Sequence, residues 1–167
     1  IGGDVIMANT RTDMGNSTWT VGGNWSHLNV ADFNRDTSKI VLNGTNNYFE
    51  GGSSSAQRFY DLTVNGIYDM NSTISGIDNM GVVVGTITVN GSTILNIWGS
   101  LDVNGTGVVT GAGAMEIKNV GSLTTMAGLI NVNEMSINRS AAVVAARYHS
   151  PTIYFDDNAD YSNTILL

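Results

Sequence analysis

Two histidines, fourteen carboxylates and seven cations are all the charge chemistry that 167 residues offer here. An enzyme needs such groups clustered and tuned by their neighbours. His27 and His149 stand far apart in ordinary polar contexts, and both read as exposed loop or strand residues, not proton-transfer groups. The chain has no cysteine, so it has neither a thiolate nucleophile nor a thiolate metal site. HExxH, GxSxG and a phosphate-cradling loop are absent from the sequence. Gly111-Ala112-Gly113-Ala114 is glycine-rich, but no Lys-Ser/Thr follows, and it reads as a tight corner. Glycoside chemistry would need two carboxylates facing each other, drawn from Asp61, Asp69, Asp78 or Asp102. Their spacing does not show that any two converge, and few lysines or arginines are available to bind an acidic sugar. The expectation is a protein without catalytic residues.

Binding chemistry leaves three candidates. Asp156, Asp157 and Asp160 form the densest acidic cluster, and oxygen ligands that close suit Ca²⁺. The cluster lacks EF-hand spacing and a bidentate Glu, so a solvated loop is the other reading; no other cofactor is expected. Acceptor triplets for N-glycosylation begin at Asn16, Asn24, Asn43, Asn71, Asn90, Asn104 and Asn138. Asn-Gly-Ser/Thr is also good turn chemistry, so these triplets serve either role. Trp19, Trp25, Trp98, Tyr48 and Tyr60 are the aromatics for a sugar platform, or for the core and ends of the fold.

The charge balance narrows the partners. A net charge of −7 with only two lysines gives no basic face for nucleic acid or for an anionic membrane surface. No apolar run reaches the roughly 18 residues of a membrane span. Sparse charge with abundant Asn, Ser, Thr and Gly describes a surface solvated by neutral groups. Ile1 without a preceding Met reads as a processed N-terminus or a trimmed chain. Together with the acceptor triplets, this points to an extracellular or cell-surface location.

The elements that must carry these residues are short strands. Between Gly85 and Gly105 the runs Thr86–Val89, Ile94–Ile97 and Leu101–Val103 alternate with Asn90-Gly91, Gly99-Ser100 and Asn104-Gly105. Branched residues at period two favour strands, and Asn-Gly turns the chain at low cost. Similar runs span 17–21, 25–30, 39–42, 48–50, 58–64, 67–70, 81–84, 108–110, 114–117, 129–132, 135–137 and 152–155. Residues 10–16 and 31–38 read as loops, and Ala141–Tyr148 as either a helix or a strand. The motif apolar-x-Val/Leu-Asn-Gly recurs with Asn at 43, 65, 90 and 104, and in degenerate form at 133. These intervals of 22, 25, 14 and 29 are those of an irregular coil. Strands this short cannot bury a face alone, but coiling stacks them into parallel ladders around an apolar interior. The predicted fold is an all-β parallel β-solenoid over residues 1–167, with a β-sandwich as the alternative.

From Trp19 to Gly66 the residue order resembles a repeat of secreted prokaryotic β-helical surface proteins. The matching pieces are Trp19, Gly23-Asn24-Trp25-Ser26, Phe33, Ile40–Thr45, Gly51-Gly52-Ser53 and Phe59–Val64. The resemblance covers about a third of the chain and implies an adhesin, surface-layer, sheath or filament role, with no catalytic residue. A solenoid without polar caps leaves strand edges open. Val5 and Ile6 near one end and Ile165 and Leu166 near the other are the expected assembly residues. The expected function is self-assembly into a filament, tube or sheath. A glycan-binding adhesin or tailspike-like module is the alternative, and a polysaccharide lyase or hydrolase a more distant one.

Overall fold

The structure is a computed structural model that describes residues 1–8, 11–30, 32–51, 57–72, 74–118, 123–137, 142–145 and 153–155. Its strands are β1 Val5–Ala8, β2 Arg11–Asp13, β3 Thr18–Val21, β4 Trp25–Asn29, β5 Asp32–Asn34 and β6 Lys39–Leu42. They continue as β7 Thr45–Glu50, β8 Phe59–Val64, β9 Ile67–Met70, β10 Ile74–Val83, β11 Thr86–Val89 and β12 Ile94–Ile97. The last six are β13 Ser100–Val103, β14 Val108–Ile117, β15 Leu123–Met126, β16 Leu129–Ile137, β17 Ala142–Ala145 and β18 Ile153–Phe155. Every pairing between them is parallel. A sandwich of hairpins would be antiparallel, so the fold is the β-solenoid.

The chain winds through three faces in turn. Face A stacks β1, β4, β7, β9, β11 and the first halves of β14 and β16. Face B stacks the first half of β10, then β12, the second halves of β14 and β16, and β18. At the amino-terminal end face B is a separate pair, β2 with β5. Face C stacks β3, β6, β8, the second half of β10, β13, β15 and β17. Residues 10–16 and 31–38, expected as loops, therefore contain the strands β2 and β5. Within Ala141–Tyr148 the described residues form strand β17.

Glycine sets the sharpest corner. Between faces C and A, Gly44, Gly66, Gly85, Gly107 and Gly128 follow one another along the axis. A Cβ on any of them would come closer than 3.0 Å to a backbone carbonyl of an earlier coil. The next amide instead bonds down the rail: Ile67 N to Gly44 O at 2.9 Å, Thr86 N to Gly66 O at 2.8 Å and Leu129 N to Gly107 O at 2.9 Å. These glycines are required for close approach of backbones. The Asn-Gly motif spans two different corners. Asn43, Asn65 and Asn104 lie between faces C and A, whereas Asn90 and Asn133 lie between A and B. That split explains the odd 14-residue interval.

The interior fills in columns. On face C, Val21, Leu42, Val64, Val83 and Val103 stack in register and are buried. On face B, Ile77, Ile97 and Ile117 do the same. Each such side chain stabilises the fold by roughly 1.5–3 kcal/mol relative to exposure. Amides stack at the corners too: Asn90 Nδ2 donates to Asn71 Oδ1 at 2.8 Å.

Candidate functional site

The first coils enclose a cluster of rings. Trp25, His27, Phe33, Phe49, Phe59 and Tyr68 are all buried. His27, expected on the surface, is 0% exposed. The difference has a simple cause: β4 alternates, and Trp25 and His27 both occupy inward positions two apart. His27 stacks on Phe33 at 4.4 Å between ring centroids and meets Phe59 edge-on at 4.9 Å. Trp25 Nε1–H donates to His27 Nδ1 at 2.8 Å, since indole can only donate. That fixes the proton on Nε2, which donates to the Gln57 carbonyl at 2.8 Å. Burial pushes the imidazole pKa down to about 4 from 6.5, with the Gln57 bond opposing the shift. Trp19 lies edge-on to Trp25 with centroids 6.3 Å apart and packs against the core at its amino-terminal end. Tyr68 pins this end: its hydroxyl accepts from Gly44 N at 3.0 Å and donates to the Gly23 carbonyl at 2.9 Å.

The corner between faces B and C carries a second cluster. Arg35, Arg58, Asp78, Trp98 and Lys118 sit there on successive coils. Asp78 accepts from Arg58 Nη1 at 3.0 Å on one oxygen and from Arg35 Nη2 on the other. The Arg58 guanidinium lies over the Trp98 ring at 4.0 Å, and Lys118 Nζ is 5.4 Å from the same centroid. Lys118 also pairs with Glu116 at 3.1 Å. Gly76 makes room for this, because a Cβ there would strike Trp98. Ion pairs between half-buried groups tie the coils together. Sequence reasoning missed the column. Its signal was the 20-residue period of Ile77, Ile97 and Ile117, each followed by a column residue.

The other sequence-predicted residues scatter. Asp61 and Asp102 lie on face C and Asp69 on face A, while Asp78 is held by its arginines. Asp61 instead accepts from Asn79 Nδ2 at 2.7 Å and Met80 N at 3.1 Å. Among the described residues no group of three His, Cys, Asp or Glu gathers as metal ligands. The calcium candidates Asp156, Asp157 and Asp160 lie outside the described residues, as do Asn138, His149, Ile165 and Leu166. The acceptors Asn16, Asn24, Asn43, Asn71, Asn90 and Asn104 all sit at corners. Asn16, Asn43 and Asn71 are exposed. Asn104 Oδ1 accepts from Thr106 N at 3.1 Å and Thr106 Oγ1 at 3.0 Å, so this triplet builds its own turn.

Of the expected aromatics, Trp25 fills the core and Trp98 lies beneath its cations, while Tyr48 and Tyr60 are half-buried. One shallow concavity of about 340 Å³ opens between faces A and B, lined by Thr110, Gly111, Ala112, Asn131, Val132 and Asn133. It arises where corners shorten: four residues separate Val89 from Ile94, but one separates Val132 from Glu134.

Among the described residues β1, β2 and β3 each pair with one strand, and Ile1 lies along the other side of β3, donating its N to the Thr20 carbonyl at 2.7 Å and accepting from Gly22 N at 2.9 Å. Val5 turns inward and is buried, whereas Ile6 is 56% exposed on the outer side of face A. Among the described residues no helix is long and apolar enough to cross a membrane. The chain matches no family model, no curated protein and no solved structure.

Proposed function

We propose that this is an extracellular structural protein that joins copies of itself through β-strand edges into a filament, tube or cell sheath. What supports the reading is that, among the described residues, β1 and β2 pair with a strand on one side only. A parallel ladder accepts a further strand wherever backbone groups are unpaired. Ile6 adds an exposed apolar side chain at that edge. Described acceptor asparagines sit on corners, so sugars attached there would project sideways and leave the ends clear. Negative-stain microscopy of the concentrated protein tests the reading. Regular fibres or tubes are expected, and Ile6→Lys should shorten them. Discrete particles at every concentration would overturn it.

A second reading has one observation in its favour. The concavity at Thr110, Asn131 and Asn133 is uncharged and offers hydroxyl and amide groups, which suits a neutral glycan. A glycan array should then give hits that Asn131→Ala abolishes; a blank array removes it.

A further inference from the structure

We infer that His27 is an acid-sensitive latch: proton uptake at its Nδ1 opens the first two coils, β1 to β6, while the later coils stay folded. The geometry leaves no place for that proton in the closed form. Nδ1 already accepts the Trp25 indole N–H at 2.8 Å, and the indole has no lone pair to offer in return. An imidazolium would set two donors against each other. The ring is held between Phe33 and Phe59, and its other nitrogen is fixed on the Gln57 carbonyl.

Among the described residues no charged side chain contacts the His27 ring. Asp4, before β1, binds Asn24 through its backbone N and side chain. Asp32 on β5 pairs with Arg11. Arg35, after β5, and Arg58, before β8, face Asp78. Glu50 on β7 accepts from Ser26 Oγ at 3.0 Å. Asp61 on β8 binds Asn79 and Met80 N. The phenols of Tyr48 on β7 and Tyr60 on β8 are half-buried. The groups in contact with His27 are the Trp25 indole, two phenyl rings and a carbonyl.

The consequence is local because the stack is one-dimensional. Among the described residues the strands of the first coil pair only with those of the second, whereas β6 to β14 pair on both sides. Opening the second coil therefore frees the first and leaves the rest paired. The direction follows from linkage. The folded-state pKa of about 4 lies below the ordinary 6.5, so stability is complete above pH 6.5 and is lost as pH falls toward 4. Between pH 7.5 and 5 the opened fraction should rise about 30-fold.

Native-state amide exchange, corrected for the intrinsic pH dependence, reads this directly. Protection in β1 to β6 should fall about 30-fold over that interval, with little change in β11 to β14. His27→Gln keeps an acceptor for Trp25 and a donor for Gln57 but cannot titrate, and should abolish the pH effect. If that variant does not fold, the wild-type imidazole resonance decides: it must stay neutral in the closed form at pH 5. Trp25→Phe removes the opposing donor and should raise the His27 pKa. A uniform loss of protection, a drop retained in His27→Gln, or ordinary titration near 6.5 would each overturn the latch.

Discussion

The two ends of the described ladder solve one packing problem differently. Early coils enclose Trp25, His27, Phe33, Phe49 and Phe59, whereas later coils enclose Ile87, Val89, Leu95, Ile97, Leu101, Val103 and Val109. The ring-filled end also holds the β2–β5 pair. In the aliphatic part β10, β14 and β16 run through corners without a break. Branched aliphatic side chains repeat every coil, and each layer resembles the next. The rings repeat less regularly: Trp25 stands in register with Phe49, but the next residue of that column is Met70, and His27 packs between Phe33 and Phe59. The aliphatic part is a regular stack, and the ring-filled part is a set of particular contacts.

Changes to the corner rail are expected to override this difference. Gly66→Val puts a Cβ against the carbonyl of Gly44. A cost above about 4 kcal/mol is expected, enough to prevent folding of either part. Loss of the native circular dichroism signal would record it. Trp25→Ala should separate the parts instead. It removes a large core ring and the donor to His27, at about 4 kcal/mol. Urea unfolding should split into an early transition for the first coils and a later one for the rest. Asp78→Ala removes the carboxylate shared by two arginines that are 19–24% exposed and should cost about 2 kcal/mol, seen as a lower urea midpoint. Gly91→Ala is the mildest: nothing lies within 4 Å of the added Cβ, so the midpoint should move by less than about 0.5 kcal/mol.

The same contrast governs what was legible in the sequence. Strands β6, β9 and β11 stand where period-two alternation places them, because each has one face inward and one outward. β2 and β5 were hidden, since three residues show no period and only Phe33 marks an inward side. The continuous runs of β14 and β16 were read as pairs of strands, because Gly111 and Asn133 look like breaks but lie inside bent ladders. Asn-Gly marks two different corners, whereas the isoleucines of face B keep a stricter 20-residue period. His27 was misread because one histidine in a polar stretch gives no sign of the rings that fold around it. Phe33, Gln57 and Phe59 reach it from other segments of the chain, and distant contacts of that kind leave no mark on local spacing.

Paired cysteines test the three-faced parallel stack most directly, since the chain has none of its own. Thr88 and Thr110 are register partners on adjacent coils of face A, half-buried on its outer side. Neighbouring parallel strands lie about 4.8 Å apart, within reach of a disulfide. Thr88→Cys with Thr110→Cys should oxidise to a crosslinked monomer. Thr88→Cys with Asp102→Cys, on different faces, should not. A crosslink in the second pair and none in the first would contradict the stack.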